Sequence, residues 1–313
     1  MRDKDLFNDR TALMGVAMLM VILQHLNVAT GSHIFLPFYM GFMGVDVFLI
    51  ISAYGLCHAF KKYDLKTFYR RRVLRIFPLY VFLAVIVTSV HVILGYNVSV
   101  WDWLCNLSTL SYYGIGGFYI EWYLSALLLL YLLFPILYNL ISKAGGGIIA
   151  IAILIVIVLS SLLNISWSHE CAIARIPFFL CGILLFFQKQ KDTLRFIYIV
   201  YGVALLITTL LYLKEYLATY MVAYMTAPFV LFAASWLVQK ITLFPSLKIY
   251  IEWIGKHSIE LYVANICACN IVCAMGTNLL LSTVLYILIQ VLFLPFCIFV
   301  NNQVQRIEQI CDK

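Results

Sequence analysis

A histidine and an aspartate stand inside apolar runs long enough to lie in a bilayer, where an ionisable side chain is costly and calls for a functional reason. His25 ends the run Met20-Val-Ile-Leu-Gln-His25, and Asp46 lies in Gly44-Val-Asp-Val-Phe-Leu-Ile-Ile-Ser52. His25 is about five residues from the outer boundary of its segment and Asp46 about seven from that of the next. At about 1.5 Å per residue, adjacent antiparallel helices would hold the two groups at nearly one depth. A carboxylate beside an imidazole orients the ring and raises its basicity, as a general base for a hydroxyl nucleophile requires. The structural alternative is that the two groups satisfy each other or the backbone as helix–helix glue.

A third feature is Phe68-Tyr-Arg-Arg-Arg-Val-Leu-Arg-Ile-Phe-Pro-Leu-Tyr80. Arg71 and Arg75 are four apart and Arg72 and Arg75 three apart, so on a helix each pair shares a face. Guanidinium groups bind phosphate in a bidentate fork, which makes the run a dock for an anionic, nucleotide-like ligand. Attraction to anionic lipid is the competing explanation. Glu121 and Trp122, with Tyr112, Tyr113, Phe118, Tyr119 and Tyr123 nearby, read as an interfacial aromatic belt or as a sugar-stacking surface. Arg175 has no topological reason to stand where it does, and Glu260 needs a partner, for which a cytoplasmic arginine would serve.

These groups must be positioned by membrane helices. The chain has 313 residues, 64% hydrophobic and 11% charged, too few charges to cover a water-facing surface. The expected spans are Leu13–Ala29, Tyr39–Phe60, Phe77–Leu94, Tyr119–Ile141, Ile148–Leu163, Arg175–Phe187, Leu194–Leu213, Leu217–Val238, Ile254–Met275 and Leu279–Val300. Nothing reads as a cleavable signal peptide or a separate soluble domain, and Pro228 and Pro295 fall inside spans that they could kink. The fold class is therefore an all-α, polytopic membrane helix bundle of about ten transmembrane helices, with residues 1–313 as one integral membrane domain.

With a cytoplasmic N-terminus, 21 lysines and arginines fall on the inner side with only two exceptions, Arg175 and Lys214. That bias expects both termini inside. The net charge of +7 sits at helix ends, so no nucleic-acid partner is expected. The nine cysteines show no repeated CxxC spacing, and no metal site is expected from Cys267, Cys269 and Cys273.

Taken in order, these motifs resemble the acyltransferase-3 family of bacterial membrane acyltransferases. Weaker matches follow in Trp122-Tyr-Leu-Ser-Ala with Tyr131, in Arg175-Ile-Pro-Phe-Phe-Leu-Cys-Gly182 and in Ile254-Gly-Lys-His-Ser-Ile-Glu-Leu-Tyr262. The resemblance implies transfer of an acyl group, usually acetyl from acetyl-CoA, onto hydroxyls of extracytoplasmic glycans at a bacterial cytoplasmic (inner) membrane. It places His25 on the family's catalytic histidine, Asp46 on the aspartate of the second-helix motif, and Arg71, Arg72 and Arg75 on its arginine-rich motif. It thereby favours the phosphates of CoA as their ligand. Many members have an arginine at Met14, a glutamate at Leu127, histidine at Asn265 and glycine at Ala53. Arg10, one turn before Met14 on the same face, could replace the missing arginine by reaching along the helix.

The sequence is thus expected to encode an O-acyltransferase, most simply an O-acetyltransferase for a cell-envelope or exported polysaccharide. It would hold no permanent cofactor and use acetyl-CoA as donor substrate. His25 would act as base with Asp46 orienting it, or would carry the acetyl group itself as an acyl-enzyme relay. The rivals are a non-enzymatic transporter or flippase for a lipid-linked sugar, against which no inverted repeat is found, and a degenerate family member acting as sensor or scaffold.

Overall fold

The computed structural model describes residues 9–118, 120–162, 167–188, 190–214, 224–241 and 243–311. Arg2, Lys4, Tyr119, Leu163, Lys189, Lys313 and residues 217–223 of the expected eighth span lie outside them. Of the described residues 87% are helical, and none is in a strand. In lipid, each segment must satisfy its own backbone amides, and a helix does so. The helices are α1 (Arg10–Thr30), α2 (Gly44–Lys62), α3 (Leu65–Ile93), α4 (Val100–Leu107), α5 (Tyr123–Ala144), α6 (Gly147–Leu162) and α7 (Trp167–Ile173). They continue as α8 (Ile176–Phe187), α9 (Gln190–Leu213), α10 (Ala227–Ile241), α11 (Pro245–Lys256), α12 (Ser258–Met275) and α13 (Leu279–Cys311). A 3-10 segment, His33–Met43, precedes α2, and another, Leu110–Tyr113, follows α4.

Among the described residues, seven helical stretches are long and apolar enough to cross a membrane: Arg10–Thr30, Phe38–Lys62, Leu65–Ile93, Tyr123–Ala144, Asp192–Leu213, Ser258–Met275 and Leu279–Glu308. Three shorter apolar helices, Gly147–Ser160, Cys171–Phe187 and Pro228–Ile241, fall where the fifth, sixth and eighth spans are expected. Crossing a hydrocarbon core takes about 20 residues, so seven of the expected spans meet that length among the described residues. The protein is a multi-pass membrane protein.

Three boundaries differ from expectation for local reasons. The third helix begins at Leu65, not Phe77, because Asp64 caps it by accepting from the Thr67 amide at 3.1 Å. The arginine run is therefore helical throughout. In the eighth, α10 begins after a turn at residues 225–226, so Pro228 lies in its first turn, where its missing N–H costs nothing. The ninth divides at His257 into α11 and α12.

The chain forms two compact units. One comprises Met1–Leu19, Phe42–Tyr63 and Leu133–Lys256. In it α2 packs on α8, and α8 is buried from Pro177 to Leu185. A Cβ on Gly182 would lie 2.3 Å from the Ile50 carbonyl oxygen, so glycine sets how closely these backbones approach. The other unit comprises Met20–Gly41, Asp64–Leu132 and His257–Lys313. Here α12 packs on both α13 and α3. Leu26, Ala29, Ala268, Cys269, Val272 and Tyr286 form a buried cluster. The outward face of α13 exposes Leu280, Ile287, Leu288, Val291 and Leu292, an uninterrupted apolar surface suited to lipid.

Candidate active site

His25 lies in the second unit, on the half of α1 that begins at Met20. Its surroundings come mainly from α12, where Tyr262, Asn265 and Cys269 are three and four residues apart and so share one face. The Asn265 side-chain amide lies 2.6 Å from His25 Nδ1. The Tyr262 ring meets the imidazole edge-on, with centroids 6.4 Å apart. The Cys269 thiol faces the His25 carbonyl at 3.8 Å. Asn265 is fully buried, and its other amide atom is hydrogen-bonded to the Tyr286 hydroxyl of α13. That hydroxyl also lies 2.8 Å from the Ile22 carbonyl oxygen on α1. The ring is thus held at Nδ1, while Nε2 has no hydrogen-bond partner among the described residues.

Beside this lies a buried acid that the aromatic-belt reading passed over. Glu121 is 3% exposed. Its carboxylate accepts from the Tyr123 amide, from the Leu124 amide at 2.7 Å and from the Tyr262 hydroxyl. The first two are unpaired donors of the first turn of α5, so Glu121 caps that helix and ties it to α12. Tyr112 is buried too, whereas Tyr113 is exposed and its hydroxyl donates to the Ser125 carbonyl. The sequence signal available for Glu121 was its place immediately before a long apolar run.

Asp46 lies in the first unit, and each of His25 and Asp46 has its polar partner within its own unit. Asp46 is fully buried and ion-paired with Arg175, Nε to Oδ1 at 2.9 Å. Arg175 also donates from Nη1 to the Cys171 carbonyl at 2.9 Å and lies over the Tyr224 ring at 4.5 Å. The arginine without a topological reason is the counter-ion of the aspartate in the second expected span. The orienting contact foreseen for His25 from a carboxylate is made at Nδ1 by the Asn265 amide.

In the second unit, Arg70, Arg71 and Arg72 are half-buried on α3 and Arg75 is exposed. Arg72 lies over the Phe68 ring at 5.8 Å, and its Nε is buried without a hydrogen-bond partner among the described residues. A buried donor left so is costly unless a ligand supplies an acceptor. Tyr69 anchors this stretch by donating to the Leu132 carbonyl at 2.8 Å. Arg10 belongs to the first unit, where its guanidinium faces Gly55 of α2; a Cβ there would sit 3.2 Å from Nη2. Glu260 accepts from Asn301 and lies 3.7 Å from His257 Nδ1, so its partners are these rather than an arginine.

A family model described as an acyltransferase domain matches residues 12–301, nearly the whole chain. The chain belongs to the acyltransferase-3 family. No curated protein and no solved structure matches it. Within this acyltransferase-3 domain two departures from the familiar motifs acquire a structural meaning. Asn265, where many members have histidine, is the residue that touches His25. Leu127, where many have glutamate, is a buried apolar residue of α5.

Proposed function

We propose that this membrane acyltransferase is an O-acetyltransferase, taking acetyl from acetyl-CoA and placing it on a hydroxyl of a cell-envelope or exported polysaccharide. His25 carries the reading: its ring is clamped on one nitrogen by buried neutral groups and keeps the other unclaimed. In the reaction, His25 takes the proton of the sugar hydroxyl as that oxygen attacks the thioester carbonyl. The carbon–sulfur bond breaks, and the proton passes to the departing CoA thiolate, leaving an acetyl ester and free CoA. Arg71, Arg72 and Arg75 hold the donor's phosphates, and the buried Arg72 Nε supports that role. The apolar cluster around Ala268, Val272 and Tyr286 keeps water from the donor. Asp46, held by Arg175, keeps α2 in place within the first unit. The basic-residue bias favours both termini inside, and the family resemblance favours a bacterial cytoplasmic membrane.

The test is transfer of radiolabelled acetyl from acetyl-CoA to glycan by the purified protein in bilayers, with His25→Ala as comparison. General-base loss predicts a fall of about 10²–10⁴-fold with insertion unchanged. Retained transfer in His25→Ala would remove His25 from the chemistry. Absence of transfer by the wild type across candidate glycans would favour the transporter or scaffold.

A further inference from the structure

Histidine can act as a base at Nε2 only if its neutral proton resides on Nδ1, and the groups around His25 determine where that proton sits. The Asn265 amide is placed with its nitrogen 2.6 Å from Nδ1 and its oxygen toward the Tyr286 hydroxyl. Which is nitrogen and which oxygen follows from counting protons along the chain of contacts, since the two ends of an amide are nearly alike in size. The far end of the chain is the Ile22 carbonyl, 2.8 Å from the same hydroxyl, and a carbonyl can only accept. A phenol has one proton. If it went to Asn265, the phenol and carbonyl oxygens would face each other at hydrogen-bonding distance with no proton between them, inside a core where Tyr286 is 1% exposed.

Turning the Asn265 amide over gives an arrangement that satisfies the carbonyl, the phenol and Nδ1 together. Tyr286 donates to the Ile22 carbonyl, Asn265 donates its N–H to the Tyr286 oxygen, and the Asn265 carbonyl accepts from Nδ1–H of His25. We infer that Tyr286, acting through Asn265 and anchored on Ile22, fixes the His25 tautomer with its proton on Nδ1 and so leaves Nε2 as the base. Tyr286 is a positioning residue here. The device is local: the carbonyl that sets the direction belongs to the same helix as the histidine, three residues before it. Its tautomer half stands on geometry alone, and only the assignment of Nε2 as base rests on the acetyl-transfer reading.

The two halves can be tested separately. Nitrogen-15 solid-state NMR of the full chain in lipid bilayers, with labelled histidine and His25 signals assigned by their loss in His25→Gln, reads the tautomer without any substrate. The neutral ring should show a protonated Nδ1 and an unprotonated Nε2. Tyr286→Phe keeps the packing but removes the proton that sets the direction. It should give a mixture of tautomers and a fall of about 10–100-fold in kcat, with the KM for acetyl-CoA unchanged. Asn265→Asp should keep the proton on Nδ1, because a carboxylate can only accept from it. Protonated Nε2 in the wild type, or an unchanged tautomer in Tyr286→Phe, would overturn the inference. The expected tautomer together with no acetyl transfer would leave the tautomer lock standing and remove the proposed reaction.

Discussion

The two units each bury a polar network among apolar helices, and the networks differ in kind. Asp46 and Arg175 in the first unit are opposite charges in direct contact, with aromatic rings over the guanidinium. His25, Asn265 and Tyr286 in the second are neutral groups joined by directional hydrogen bonds, and one ring nitrogen is left over. Burying an ion pair costs desolvation that only close contact offsets, and a pair so closed has little left to offer a substrate. A neutral relay costs less to bury and can end in an unclaimed lone pair. The first arrangement therefore fits holding α2 in place, and the second fits chemistry.

The largest expected effect is on the charged network. Arg175→Leu strands the Asp46 carboxylate in the core and should destabilise the protein by about 3–5 kcal/mol. The double variant Asp46→Leu/Arg175→Leu should recover most of that, because an apolar pair no longer leaves a charge unpaired. Thermal unfolding in detergent reads both. If Arg175→Leu were as stable as the wild type but lost acetyl transfer, the charged network would belong with the chemistry and the contrast drawn above would fail.

His25, Asp46 and the arginine run were legible in the sequence because charge inside an apolar run is conspicuous. The partners were not. Residue depth along adjacent helices makes a His25–Asp46 pair reasonable, but depth carries no information on which face of a helix a side chain occupies. Arg175 was visible as an anomaly, yet its link to Asp46 depends on α8 packing against α2, which Gly182 permits by close approach. Asn265 and Tyr286 are ordinary in composition, and only three-dimensional packing of α12 and α13 makes them a relay. The helical class was readable from apolar content, whereas α6, α8 and α10 are apolar but short among the described residues, and composition does not fix helix length.

A second effect separates the donor site from the tautomer relay in the same unit. Arg72→Lys keeps the charge and loses the planar fork. Loss of a charge-assisted hydrogen bond is worth about 1.5–3 kcal/mol, so the KM for acetyl-CoA should rise about 10–150-fold. The kcat at saturation should change little, the reverse of the pattern expected for Tyr286→Phe. A fall in kcat without a change in KM would place Arg72 among the reacting groups instead of at the phosphates.

The smallest expected effect concerns the buried acid beside His25. Tyr262→Phe retains the ring that meets both the imidazole and Tyr123, and deletes only the hydroxyl that donates to Glu121. The carboxylate would keep its two backbone donors at the start of α5, so it is weakened rather than stranded. The cost should be about 1.5 kcal/mol in thermal unfolding, at the lower end for a hydrogen bond to a charged group. If the hydroxyl serves only to tie α5 to α12, kcat should fall far less than in Tyr286→Phe, although the Tyr262 ring itself meets the imidazole. A loss of rate as large as that of Tyr286→Phe would mean that the Glu121–Tyr262 hydrogen bond tunes His25 directly. The reactive site would then combine a neutral relay with a buried charge, and the division of labour between charged and neutral networks would no longer hold.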